Sequence, residues 1–302
     1  LKIVIAGGTG FVGQHLVDYF TSKDDQVIIL TRNPRNNSSE DNVTYVEWLN
    51  GDSQPELQVN SADVFINLAG ESLNGGRWND ERKKRILESR ITTTRELIRI
   101  MNAMTNPPHT FINASAIGFY GISDTEIFTE QTVNPGSDFL AEVCNIWEQE
   151  ANEANKLDIR TVKARFGLIL DQHNGALPKI ALPYKLFAGG RLGSGEQWVS
   201  WVHIYDVVKI IDWIINNKQV SGSVNITAPD PKRNKDFGKE LSNTIKRPHW
   251  LPAPSFAIKT LLGEMSLLLL CGQYVYPKAL EDSGYPFQFA TLQTALRDLY
   301  ER

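Results

Sequence analysis

The residues whose chemistry is easiest to read are glycines. Gly7, Gly8, Gly10 and Gly13 lie in the run Gly7-Gly8-Thr9-Gly10-Phe11-Val12-Gly13, a turn suited to a pyrophosphate. Gly7 and Gly8 allow backbone conformations closed to other residues. Gly10 lets the main chain come against a phosphate, and Gly13 lets the next helix pack closely on the strand. That strand is the apolar β-branched run Ile3-Val4-Ile5; the helix repeats Phe11, Val12, His15, Leu16, Tyr19 and Phe20 at helical spacing. Its free N–H groups and positive dipole end would face the phosphates. A glycine pattern alone is weak evidence, but strand, glycine turn and helix in this order predict dinucleotide binding.

A second chemical position closes the next strand, residues 26–30, at Thr31-Arg32-Asn33-Pro34. An NAD site places a carboxylate there for the ribose hydroxyls. Here Thr31 and Arg32 stand instead, and a guanidinium can grip an extra phosphate bidentately. NADP(H) is therefore expected over NAD, the alternative being a solvated loop arginine. Groups able to move a proton are few. Ser115 ends a strand and can orient a substrate hydroxyl or carbonyl, or serve the fold alone. Tyr120 offers a phenol, or aromatic packing. Glu130 is a candidate base or a solvated acid, and His203 a candidate acid/base or a structural histidine before the next helix. Glu142 and Cys144 need no chemistry to explain them. No His, Cys, Asp and Glu spacing suits a metal, and no GxSxG elbow suggests a hydrolase.

Strands and helices alternate, as a parallel sheet wound on both faces requires. A third strand is expected at 43–47 and a fourth at 63–68, ending in the small residues Ala69-Gly70, against which a cofactor's adenosine half can lie. A long helix to about Asn102 carries Leu87, Ile91, Thr94, Ile98 and Met101 on its apolar stripe. Arg90 lies beside that stripe and needs a partner, either a cofactor phosphate or ribose or an internal carboxylate. The run Arg82-Lys83-Lys84-Arg85 reads as a solvated face. A fifth strand at 110–115, a helix at 139–154 and a sixth strand at 159–165 follow. A long excursion then carries Trp198 and Trp201, placed to line a substrate pocket. Asp206 is expected to cap the helix through Val207 and Ile211. The last strand lies near 223–226, and an apolar helix at 256–271 either packs under the substrate side or forms a subunit contact.

The fold class is α/β, a Rossmann-type doubly wound parallel sheet with a smaller, mostly helical C-terminal lobe. Residues 1–170 and 204–228 form the NADP-binding domain; 171–203 and 229–302 form the substrate side. The 302 residues are 41% hydrophobic, enough for a full core. A net charge of −4 gives no electrostatic reason to expect nucleic acid or an anionic membrane, and the expected partner is a small molecule. The two cysteines, Cys144 and Cys271, sit in apolar helical patterns and read as buried thiols of a reducing compartment. With no leader ahead of the first strand and no run long enough to span a bilayer, the expected location is the cytoplasm.

The glycine turn, Asn67-Leu68-Ala69-Gly70, and a strand ending at Ser115 before Tyr120-Gly121 resemble the extended short-chain dehydrogenase/reductases, the NAD(P)-dependent epimerase/dehydratase family. Arg77-Trp78, Ser89-Arg90, Asp138-Phe139-Leu140, Ser200-Trp201-Val202-His203, Arg247-Pro248 and Gly284-Tyr285 resemble the branch labelled "epimerase family protein", with its C-terminal extension. The resemblance implies an NADP-binding fold with cofactor contacts at Gly7, Gly8, Thr9, Gly10, Phe11, Val12, Gly13, Thr31, Arg32, Leu68, Ala69, Gly70, Arg90 and Ile169. The backbone near Ile169 would meet the nicotinamide half. It also suggests a homodimer through the helices after the fourth and fifth strands. The superfamily's acid/base tyrosine and the lysine one turn later fall on Phe139 and Val143, neither of which moves a proton. Two readings follow. One is an NADP-dependent oxidoreductase or epimerase-like enzyme for a small polar carbonyl or hydroxyl compound, with Ser115 and Tyr120 as candidate catalytic groups. The other is a non-catalytic NADP(H)-binding sensor or scaffold.

Overall fold

Ile3, Val4 and Ile5 have no exposed surface, because the strand that holds them is covered by neighbours on both sides and both faces. The computed structural model describes residues 1–34 and 42–301. Seven strands build its main sheet: β1 (Lys2–Ala6), β2 (Gln26–Thr31), β3 (Val43–Glu47), β4 (Val64–Asn67), β5 (Thr110–Ala116), β6 (Arg160–Phe166) and β7 (Gly222–Ile226). Their spatial order is β7-β6-β5-β4-β1-β2-β3, and all six pairings are parallel. The chain runs outward from β1 to β3, then returns to place β4 on the other side of β1. The helices that follow β1 and β4 therefore lie on opposite faces of the sheet, and this switch point is where open α/β sheets hold ligands.

The longer helices among the described residues surround the sheet or form the lobe beyond it: α1 (Phe11–Thr21), α2 (Asp80–Ala103), α3 (Phe139–Asn152), α4 (Leu177–Lys185), α5 (Ile204–Asn216), α6 (Asn234–Thr244), α7 (Ser255–Leu262) and α8 (Leu292–Tyr300). Leu16 and Phe20 of α1 pack with Val207, Ile211 and Ile214 of α5 on one face of the sheet. Leu97, Ile100 and Met101 of α2 and Ala151 of α3 cover the other. A separate core joins α4, α6 and α8 through Ala181, Tyr184, Phe237, Leu241, Leu292 and Leu296. Two short strand pairs tie this lobe to the sheet domain, Leu168–Leu170 with Trp201–His203 and Ile127–Phe128 with Tyr274–Val275, and a third, Trp198–Val199 with Lys232–Arg233, lies within the lobe.

Several expectations change. Asp206 does not cap α5; His203 does, its Nδ1 accepting the Tyr205 N–H at 3.0 Å. The buried Asp206 carboxylate instead clamps the C-terminal lobe, accepting from Tyr285 Oη at 2.9 Å and from the Gln288 and Phe289 N–H groups at 3.0 and 2.9 Å. Charged hydrogen bonds of this kind contribute about 1.5–3 kcal/mol each.

The single helix expected at 256–271 is broken at Gly263, whose φ of +59° a helix cannot continue, into α7, a 3₁₀ turn and Leu267–Leu270. It does not pack under the lobe: only Ile258 of α7 is buried, none of Leu267–Leu270 is, and Phe256 and Leu261 are exposed. Cys271 follows in extended backbone and is half-buried, whereas Cys144 is buried; both are free thiols. Among the described residues no helix is long and apolar enough to cross a membrane.

Candidate functional site

The carboxyl ends of β1, β2 and β4 open onto a cleft of about 970 Å³. Gly7, Thr9 and Gly10 form its floor with Leu68, Ala69, Gly70 and Glu71; Thr31, Arg32 and Asn33 form one end, near Trp48 and Leu49. The remaining wall belongs to α2, through Arg85, Glu88, Ser89, Thr92 and Thr93.

Each glycine has its own reason. Gly7 has φ +85°, and a Cβ there would lie 2.9 Å from the Leu68 carbonyl carbon, so the turn after β1 rests directly on the segment after β4. A Cβ on Gly13 would come within 2.2 Å of the Gly7 oxygen, which fixes how closely α1 approaches the turn. Gly8 is buried over Ile29. Gly10 is different: a Cβ would meet only the Gly7 oxygen, at 3.2 Å, so its role is to leave the cleft side open. Gly10 is also the N-cap of α1 and gives no side-chain cap, and no acidic residue sits in the first turn. Those first-turn N–H groups suit an anionic oxygen. Gly13→Ala is expected to cost about 1–3 kcal/mol and to weaken dinucleotide binding at least tenfold, read by thermal unfolding and fluorescence titration.

A buried polar network that periodicity does not reveal holds the β4 end in place. Asn67 accepts the Ala69 N–H through Oδ1 at 3.1 Å and donates through Nδ2 to Asn113 Oδ1 at 2.7 Å and Thr94 Oγ1 at 3.1 Å. The Trp147 indole N–H also donates to Thr94 Oγ1, at 3.0 Å. Arg90 then stacks on the Trp147 ring at 4.9 Å, with its side chain under Gly70. Its Nη1 donates to the Ile86 and Glu71 carbonyls at 2.8 and 3.2 Å, it forms no ion pair among the described residues, and burial pushes its pKa down. Arg90 thus supports the β4 end from beneath, and the internal carboxylate weighed from the sequence is not its partner.

The basic run on α2 is not one solvated face. Arg82 is buried against Glu71 and the Ser72 carbonyl. Lys83 pairs with Glu264 of the C-terminal part, its ammonium 5.3 Å from the Phe139 ring, and Arg85 lines the cleft. Sequence reading misses this because four consecutive side chains on a helix point in four directions.

The candidate proton-transfer groups lie elsewhere. Ser115 is 3% exposed and donates to Glu148 Oε1 at 2.7 Å. Glu148 is held bidentately by Arg165 at 2.7 and 2.8 Å, and that guanidinium lies 3.6 Å from the Phe119 ring and 4.8 Å from the Tyr120 ring. Tyr120 donates to Asn225 Oδ1 at 2.8 Å, and burial pushes its phenol pKa up. Glu130 accepts the Asn225 N–H at 2.9 Å and is likewise pushed up by burial. This chain of contacts braces β5, β6 and β7 against α3. Cys144, beside Ser115, is pushed up to about 11 by burial and stays a thiol at neutral pH.

Phe139 and Val143 belong to an apolar cluster with Trp78, Ile86, Leu140 and Met265. The Phe139 ring meets Trp78 edge-on at 5.5 Å, and Val143 is 3% exposed. His203 is buried, with Nε2 3.3 Å from Asp298 and its ring 4.0 Å from Phe289, a structural placement. Trp201 is fully buried and Trp198 stacks under Arg233 at 3.8 Å, so the first of these does not line a pocket. Of the remaining expected contacts, Phe11 and Val12 at the start of α1 and Ile169 pack at the margin of the core, and Ile169 pairs with Val202. None of the three lines the cleft, which gathers Gly7, Thr9, Gly10, Thr31, Arg32, Leu68, Ala69 and Gly70.

The cleft fits a dinucleotide phosphate: an uncapped helix N-terminus, a turn that presents no Cβ at Gly7 and Gly10, and at Arg32 a guanidinium with no ion pair among the described residues. A family model described as the NAD dependent epimerase/dehydratase family matches residues 3–227, and a domain of unknown function, DUF1731, matches 253–299. Epimerase family protein YfhF of Bacillus subtilis is 44% identical over 299 residues, covering 99% of this chain and 98% of that protein. Epimerase family protein MW0731 of Staphylococcus aureus is 40% identical over 298 residues, covering 99% and 98%. The solved structure of human epimerase family protein SDR39U1 with NADPH superposes with a TM-score of 0.89 at 28% identity over 100% of both chains. The chain, with its parallel sheet and its C-terminal extension, belongs to the NAD-dependent epimerase/dehydratase family.

Proposed function

We propose that the protein binds NADP(H) in the cleft at the switch point and acts as an oxidoreductase or epimerase-like enzyme on a small polar carbonyl or hydroxyl compound. The observation that carries the cofactor choice is Arg32, which lines the cleft beside Thr31 where an NAD site would present a carboxylate. The NADPH named with the human relative SDR39U1 agrees with it. NADP(H), when bound, supplies or accepts a hydride. The turn from Gly7 to Gly13 and the N-terminus of α1 would bind its pyrophosphate, and the segment Leu68-Ala69-Gly70, supported by Asn67 and Arg90, would carry its adenosine side. The two free thiols are consistent with a cytoplasmic protein.

A second reading, a non-catalytic NADP(H) sensor or scaffold, is favoured by one observation. Phe139 and Val143, where the resemblance puts the superfamily's tyrosine and lysine, are packed among apolar groups, while the Ser115 and Tyr120 hydroxyls are committed to internal partners. A panel of sugar nucleotides and small aldehydes and ketones, followed by NADPH absorbance, separates the two. Turnover of any member supports the enzyme; tight NADPH binding with no turnover across the panel supports the sensor.

A further inference from the structure

Arg85 enters the same cleft as Arg32 but from α2. Its partners leave it available. Glu81 Oε1 lies 2.7 Å away one turn earlier, with the Arg85 side chain about half and the Glu81 side chain mostly in solvent. Glu71 Oε1 lies 3.4 Å away and is already held by the buried Arg82. An exposed ion pair of this kind is weak and easily exchanged, so an entering phosphate can take the Arg85 guanidinium while the Arg82–Glu71 pair stays intact. The other charge that α2 presents to the cleft, Glu88, has Lys84 as a neighbour 3.7 Å away.

We infer that Arg85 is a second specificity-determining residue, holding the 2′-phosphate of NADP(H) together with Arg32, so that the phosphate links the end of β2 to α2. This rests on the cofactor reading above. A guanidinium on each wall gives the phosphate dianion charge-assisted hydrogen bonds from two elements, where NADH offers only a hydroxyl. Arg85 therefore discriminates between the cofactors without contributing to the part they share.

The test is a fluorescence titration of the whole protein with NADPH and NADH, and a competition with 2′-AMP and 5′-AMP, for wild type, Arg85→Ala, Arg85→Lys and Arg32→Ala. Arg85→Ala is expected to weaken NADPH and 2′-AMP about tenfold or more and to leave NADH and 5′-AMP unchanged, with Arg85→Lys in between. A thermal unfolding midpoint equal to wild type shows that the variant is folded. The inference is overturned if wild type prefers NADPH and loses that preference in Arg32→Ala, but Arg85→Ala binds NADPH as wild type does. It is equally overturned if Arg85→Ala weakens NADPH and NADH alike, which would place Arg85 on the shared pyrophosphate. A wild type that binds both cofactors alike, or neither, overturns the underlying cofactor reading as well.

Discussion

Replacing Val143 with lysine, alone or with Phe139→Tyr, is expected to destabilise the protein by about 3–5 kcal/mol and to restore no reductase activity. From sequence, this pair of changes looks like the repair of a disarmed dehydrogenase. The packing argues otherwise. Val143 sits among Trp78, Ile86 and Leu140, where a lysine loses the valine's contacts and brings in an ammonium with no carboxylate in the cluster. Leaving a buried charge uncompensated costs about 3–5 kcal/mol, or the amine gives up its proton and with it the role it was meant to fill. The thermal midpoint should fall by roughly 5–15 °C. Phe139→Tyr alone should be mild, because the ring is half-buried at the edge of the cluster. A stable double variant with carbonyl reductase activity would show that the site had kept the geometry of the pair.

Glu148→Ala is the second change with a large expected effect. It strands the Arg165 guanidinium, which is buried against Phe119 and Tyr120, and frees the Ser115 hydroxyl from its acceptor. Removing one member of such a pair costs about 3–5 kcal/mol, mostly because the remaining charge stays buried. Glu148→Leu with Arg165→Met together should cost clearly less, since neither charge is then left alone. Chemical denaturation of the two singles and the double gives the coupling directly. If Glu148→Ala unfolds like wild type and instead alters only NADPH binding, the network belongs to the site and not to the fold.

These two positions show what the sequence could and could not carry. The glycine turn is legible because its causes are local: a strand, a required left-handed residue at Gly7 and a helix that must approach closely at Gly13. The alternation of strands and helices is legible for the same reason, and Thr31-Arg32 falls at the cleft because a strand end has only one place to go in a parallel sheet. Ser115, next to the end of β5, reads from sequence as a group that orients substrate or serves the fold; its partner, Glu148, lies on α3, and no periodicity couples the two. Asp206 has the position of a capping residue, yet its carboxylate is taken by Tyr285, Gln288 and Phe289, which tertiary contact alone brings near. The residues from Phe256 to Cys271 carry enough apolar character for one helix, but a single glycine at 263 with positive φ divides them. Arg90, a charge beside an apolar stripe, needs partners; those it finds, an indole face and two carbonyls, are of a kind that charge counting does not reveal.

On the proposed function, the cleft between the turn after β1, the ends of β2 and β4, and α2 is an NADP(H) site read by Arg32. The most direct measurement is a fluorescence titration of the purified protein with NADPH and with NADH, repeated on Arg32→Ala. NADPH should bind at least about tenfold more tightly than NADH, and the difference should vanish in Arg32→Ala. Equal binding of the two cofactors by the wild type, or no binding of either, would contradict it.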